Sequence, residues 1–494
     1  MDDSNKYYQS RHFLRLLHHY EKAVAEGYVP YLEADELTDI AEYYMTGKQD
    51  DKATQAIQAA IDMHPDSVDP HIFLARQKMF YGQLDEARAI IEGITEQQDD
   101  EVIYIRAELL IKEGKAPEAS AFLLEQEEQM QDSLDTYLYD CTSIFMDYDQ
   151  WEFAREWLER LRDAFPTHPQ LVIMEAEIQM GLDNYEDALP MLQTILDEEP
   201  YNSEAWNLLA ETYVALEMYP EALEAADYSL AINPQDSNAL LMKGNAYMRD
   251  DQTASAIEYY TRYLETQPDD LNVQISLAFC YSNEERYKEL LPLLERAEQY
   301  ARKLPDRRVE LPQIYQMRAY ALSRLNRSVE AFAAIRQART LGDESLEWRL
   351  DITEGDIYLH FKQTKQAEQY FASALAKSPE QGETLFSIAM IYSNAGYNDT
   401  AIDLLDDVWT IFGTQEGKFV VPYLANCYLR KNDMEKFLSY LKLAPSCDRD
   451  ATMLLFRDRF PDVVPEDYYA YAYKEVHGVF PDSFEEKEPD DLSF

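Results

Sequence analysis

The chain has 494 residues and a formal net charge of −50, from 44 Lys plus Arg against 94 Asp plus Glu; such a surface repels polyphosphate and anionic membranes and disfavours both nucleic acid and membrane as general partners. With 46% hydrophobic residues and only 14 glycines, it reads as a folded helical protein, not a β-rich or loop-rich one. Four scattered cysteines, Cys141, Cys280, Cys427 and Cys447, suit a reducing compartment, and with no secretory pattern at residues 1–6 and no apolar run of about 18 residues a cytoplasmic location is expected.

Taken in order, residues 5–26 place Phe13, Leu16, Leu17, Tyr20 and Val24 on one side of a helix that Pro30 follows, so residues 1–33 are read as an N-terminal cap. Small residues then recur in pairs twelve apart. Positions 41 and 53, 75 and 87, 107 and 119, 142 and 154, 176 and 188, 210 and 222, and 244 and 256 are all Ala except Thr142 and Gly244. Five more pairs begin at Ala278, Ala319, Gly355, Ala389 and Ala425, with Leu290 and Phe437 as bulky second members. Antiparallel helices that cross at small side chains can approach closely, so each pair predicts one helical hairpin. Pro166, Pro200, Pro234 and Pro268 fall 34 apart and stop second helices, since proline cannot extend one. Gly82, Gly114 and Gly396 stand seven residues after the small residue, where a chain leaving a helix favours left-handed backbone.

Within residues 203–234, Trp206, Leu209, Ala210 and Tyr213 make one helical stripe and Ala222, Ala226 and Leu230 a second, with a turn over residues 217–220 and Pro234 behind. This order resembles the tetratricopeptide repeat (TPR), with Ala226 where that family more often has an aromatic residue. The resemblance covers about residues 34–445. It implies an all-α solenoid of about twelve TPR-like hairpins forming a right-handed superhelix, whose first helices line a concave groove. It further implies a non-catalytic scaffold that binds a protein or peptide segment there.

The repeat lengthens between Ala278 and Ala319, a step of 41, with the second helix expected to reach Leu304 and a loop bracketed by Pro305 and Pro312. This divides the expected domains into an N-terminal array at 34–299 and a C-terminal array at 300–446. Insertions near residues 341–346 and 413–417 read as surface loops. Residues 447–480 are expected to close the array with two helices, and 481–494 to form an acidic, mobile tail.

Motifs for metal, phosphate or nucleophilic chemistry are missing from the sequence. The pair His18-His19 points in two directions from one helix, which suits solvent better than a metal. No cofactor, metal or catalytic residue is expected. The groove positions of the resembled fold are more informative. Four residues after the small one stand Met45, Met79, Ile111, Met146, Met180, Val214 and Met248, and immediately after it Glu42, Arg76, Glu108, Ser143, Glu177, Glu211 and Asn245. Methionines at repeat spacing can pack between neighbouring first helices as core; alternatively, with the carboxylates of Glu42, Glu108, Glu177 and Glu211, they form a greasy acidic groove for a basic amphipathic segment. Those carboxylates depart from the basic first helices of the family members that bind peptide carboxylates.

Residues 286–340 hold twelve Lys or Arg against six Asp or Glu, a local charge of +6 in an acidic chain. Arg302, Lys303, Arg307 and Arg308 are its densest part. It reads either as a solvated island or as a dock for an anionic partner, including the acidic surface of a second copy. An accessory subunit or an enzyme with its site at this joint is the alternative function.

Overall fold

A computed structural model describes residues 7–47, 49–130, 133–303, 306–342, 344–461 and 463–481, with backbone alone for residues 306, 307, 344, 414 and 415. The expected acidic tail from residue 482 onward lies outside the described residues. Among them no strand occurs. Helix Arg11–Ala25 begins at Ser10, whose hydroxyl accepts from the Phe13 N–H, and it buries Phe13, Leu16, Leu17 and Tyr20 against the first hairpin.

Among the described residues, twenty-four helices follow two by two in chain order. The first four are Ala34–Thr46 with Asp50–Met63, Val68–Phe80 with Leu84–Gly93, Asp100–Lys112 with Ala116–Gln126, and Leu134–Asp147 with Trp151–Ala164. Next come Leu171–Gly181 with Tyr185–Glu198, Ser203–Ala215 with Tyr219–Ile232, and Ser237–Arg249 with Thr253–Thr266, after which Leu271–Asn283 and Tyr287–Lys303 follow along the chain as the eighth repeat. The last four are Leu311–Arg324 with Ser328–Leu341, Glu347–His360 with Thr364–Lys377, Gln381–Asn394 with Asn398–Glu416, and Val421–Arg430 with Met434–Leu441. The fold is an α-solenoid of such hairpins.

The small residues are where helices touch. Ala41, Ala53, Ala75, Ala87, Ala176 and Ala188 are all 0% exposed. Gly244 shows the reason most directly: a Cβ built there would lie 2.6 Å from the Tyr260 ring, and at Gly355 it would lie 2.5 Å from Phe371. The second helix has placed a large ring in the space that the first left empty.

The turns share one geometry that the glycines only partly announce. Seven residues after the small residue the backbone is left-handed at Gly82, Gly114 and Gly396, and also at Asp149, Asp183, Glu217, Asp251, Glu285, Asn326, Lys362 and Asn432. The next N–H reaches five residues back, from Gln83 to Lys78 O, Met218 to Tyr213 O and Gln363 to Tyr358 O, each at 2.9 Å. This is the Schellman closure, which satisfies carbonyls that a helix end leaves open. The bonds it secures hold even Glu217 and Lys362 in a region that costs an L-residue about 1–2 kcal/mol.

The chain divides into two compact units, Met1–Glu284 with Tyr300–Arg308, and Glu285–Gln299 with Val309–Phe494. In the first, the core is a series of local clusters: one joins the N-terminal helix to hairpin one, another spans hairpins three to five. In the second, a large cluster runs from Leu359 to Ala472. Two sequence expectations change here. Pro312 does not end a loop but sits in the first turn of Leu311–Arg324, where its missing N–H costs nothing. The segment near 413–417 is no surface loop: Asn398–Glu416 continues through it, kinked at Gly413 (φ 81°, ψ 176°), and Gly417 is buried, with its Cβ position 2.8 Å from the Trp409 carbonyl oxygen. Beyond Leu441, Arg449–Phe456 and Tyr468–His477 close this unit, with Phe456 and Tyr468 1% exposed.

Candidate functional site

Because Thr142, Ala176 and Ala210 face their hairpin partners, the residues one and four positions further along turn to the flank of the first helix. Three such flanks, from Leu134–Asp147, Leu171–Gly181 and Ser203–Ala215, meet around a cavity of about 480 Å³. Its apolar wall includes the half-buried Met146 and Trp151 and the core residues Met174 and Met180, 4% and 7% exposed, and its acidic wall includes Asp147, Glu177, Asp183, Glu204 and Glu211. Gly181 makes room for Trp151: a Cβ there would fall 2.1 Å from the indole.

No lysine, arginine or histidine lines this cavity. Burial first, then the charges of Glu204, Glu211 and Asp147, push the Glu177 carboxyl up to about 7. Burial also raises Glu211, and burial with the Glu108 charge raises Asp147. Five carboxylates thus line one cavity with no cationic side chain among its described lining residues; Glu177 is half-buried and the other four reach solvent.

The structure brings Met146, Glu177, Met180 and Glu211 into this one cavity. It places the other predicted groove residues elsewhere. Glu42 accepts from the Tyr8 hydroxyl at 3.0 Å. Glu108, 9% exposed, accepts from Arg76 at 2.9 Å and from the Tyr148 hydroxyl at 3.1 Å. Met79 is 4% exposed and belongs to the cluster of hairpins two and three. Met45 packs partly buried against the first cluster, and the Met248 sulfur lies 3.5 Å from the Tyr260 hydroxyl.

Sequence reasoning missed Asp147, Met174, Trp151 and Glu204. Two of them were within reach: Glu204 stands seven before Glu211 and Asp147 four after Ser143, so each shares a helix face with a residue already singled out.

In the segment counted as +6, much of the positive charge is matched locally. Arg318 bonds Glu298 at 2.9 Å, Arg324 bonds Asp356 at 2.6 Å, Arg327 bonds Glu330 at 2.5 Å, and Arg339 bonds Asp351 at 2.6 Å and Glu354 at 2.9 Å. Arg302, Lys303 and Arg308 are exposed, and the Arg307 side chain lies outside the described residues. His18 and His19 are both exposed. Among the described residues no group of three His, Cys, Asp or Glu could hold a metal, and no helix is long and apolar enough to cross a membrane.

Comparison with known proteins agrees with the hairpin architecture. Two tetratricopeptide repeat family models match, one over residues 48–109, 145–211 and 180–245 and another over 237–270. No curated protein sequence matches the chain. Among solved structures, a tetratricopeptide repeat protein from Parabacteroides merdae is 18% identical, covering 52% of this chain and 98% of its own, with a TM-score of 0.36. The Cut9-Hcn1 hetero-tetramer of APC/C is 14% identical over 86% of this chain and 96% of its own, with a TM-score of 0.32. YrrB, a TPR protein with an unusual peptide-binding site, is 15% identical over 39% of this chain and 95% of its own, with a TM-score of 0.33. With helix pairs in the expected register and repeat models matched over residues 48–109 and 145–270, the chain is a tetratricopeptide repeat protein over those segments.

Proposed function

We propose that this chain is a non-catalytic protein-interaction scaffold whose first-helix face captures a basic amphipathic segment of a partner. One observation carries the reading: methionine side chains and carboxylates without internal partners line the same cavity in hairpins four to six. Thioethers on flexible stems adapt to varied apolar side chains. Uncompensated carboxylates steer basic segments toward the face and repel acidic ones, an effect on rate and selectivity more than on affinity.

Selection from a random peptide library on the full chain tests it. Enriched sequences should combine Leu, Ile or Phe with Lys or Arg, and replacing Met146, half-buried on the cavity wall, with Gln should weaken their capture while the melting temperature holds. Enrichment of acidic sequences would sink the reading.

A further inference from the structure

The cavity of hairpins four to six differs from the rest of the predicted groove in how its charges are met. Glu42 and Glu108 have donors within the chain; Glu177, Glu204 and Glu211 have none among the described residues. The groups facing Glu177 are Asp147 from one neighbouring helix, Glu204 and Glu211 from the other, Asp183 from the turn behind it, and the neutral Tyr139 and Tyr185. An anionic occupant is repelled by all of the charged groups. A wholly apolar occupant would strip water from carboxylates and give nothing back. A bare divalent ion lacks a clustered ligand set. A single positive charge on an aliphatic stem satisfies both walls, with methylenes against the Met146 thioether and the indole, and the charge among the carboxylates. Carboxylates that converge from separate helices surround a compact ammonium better than they match the flat, forked guanidinium.

We propose that this cavity is the anchor pocket for one lysine side chain of the captured segment, its stem on Met146 and Trp151 and its ammonium between Glu177 and Glu211. The inference rests on the groove reading above and narrows it to one chemical group. It also couples capture to protons. Glu177 retains its proton to about pH 7, so the arriving ammonium displaces it, and affinity falls as the medium acidifies.

Three capped peptides, identical leucine- and alanine-rich sequences with lysine, arginine or norleucine at the centre, are titrated calorimetrically into the full chain at pH 8 and pH 6. Buffers of different ionisation enthalpy report the proton count. The lysine peptide should bind at least tenfold tighter than the norleucine peptide at pH 8, release a proton near pH 7, and lose about tenfold in affinity by pH 6. The Glu177→Gln chain, melting no lower than the unaltered chain, should lose both the lysine preference and the pH slope. Equal affinity for the lysine and norleucine peptides would overturn the anchor and leave groove capture standing. Tighter binding of arginine than lysine would overturn the choice of ammonium, and no binding by any of the three at pH 8 would remove both the anchor and the groove reading.

Discussion

Glu177 in hairpin five, half-buried, and Asp351 and Glu354 in hairpin ten, buried, are withdrawn from water to different depths, and the fold treats them oppositely. In hairpin ten, Asp351 is 2% exposed and Glu354 9%, and Arg339 and Lys377 reach into them, with the Ser373 hydroxyl donating to Asp351 at 2.7 Å. Burial alone would raise Asp351, but the bonds from Lys377, Ser373 and Arg339 outweigh it and leave the carboxyl below its usual value. Around Glu177 no such donor is found among the described residues, and its carboxyl rises to about 7. A buried acid that finds its cation inside the chain is part of the fold. One that does not is costly in the free protein and has that cost relieved when a cation arrives from elsewhere.

The sharpest way to break this contrast is to make hairpin ten resemble hairpin five. Arg339→Met would leave Asp351, Glu354 and Glu347 facing one another, at about 3–5 kcal/mol. Because the chain has two units and unfolding need not be two-state, hydrogen exchange within residues 347–377 is the measurement; protection equal to that of the unaltered chain would show that Lys377 alone suffices.

Next in size is the reverse change, Glu177→Gln. The folded carboxyl lies above its ordinary 4.5, so the folded state holds the proton more tightly than the unfolded one. Its contribution to stability is complete below about pH 4.5 and is lost as pH rises through about 7. The substitution should therefore stabilise hairpins four to six by about 1–2 kcal/mol at pH 8, a figure reduced for partial solvent screening, and by little at pH 4. For Asp351 the sign is opposite: its contribution is present above the ordinary 3.8 and is lost as pH falls through its lower folded value. Hydrogen exchange should show the Glu177 region gaining protection from pH 8 to pH 4 while the Asp351 region holds, its loss setting in only below about pH 3.8.

A cation supplied in cis sharpens the contrast further. Ser143→Lys, on the cavity wall, should stabilise the region by up to about 1 kcal/mol and block the lysine peptide; a variant that binds it normally would place that peptide outside the cavity. The smallest effect serves as a control in each unit. Glu217→Gly and Lys362→Gly relieve left-handed backbone at φ 60° and 61°, but glycine also loosens the unfolded chain, so a gain of about 0.5 kcal/mol is expected in each, with no change in peptide affinity.

The register of small residues made the hairpins readable because helix crossing is a local steric requirement that repeats every 34 residues or so. Glycine revealed the left-handed turn residue in three hairpins, but in eight more the Schellman bonds impose the same conformation on Asp, Asn, Glu and Lys, and residue type alone does not disclose it. Gly413 and Gly417 misled for the related reason that one marks a kink and the other a close approach to Trp409, and both look like loop residues in a sequence.

For the site, the sequence by itself determined which positions leave the hairpin crossing, and hence that methionines and carboxylates would share a face. It could not determine which carboxylates were already satisfied. Glu108 and Glu177 occupy the same register position, yet the first is met by Arg76 from the preceding hairpin and Tyr148 from the following one, whereas the second meets Glu204, Glu211 and Asp147. That difference depends on side chains about 30 residues apart in the chain. Charge is a property of a residue, but its compensation is a property of the neighbours that folding brings to it.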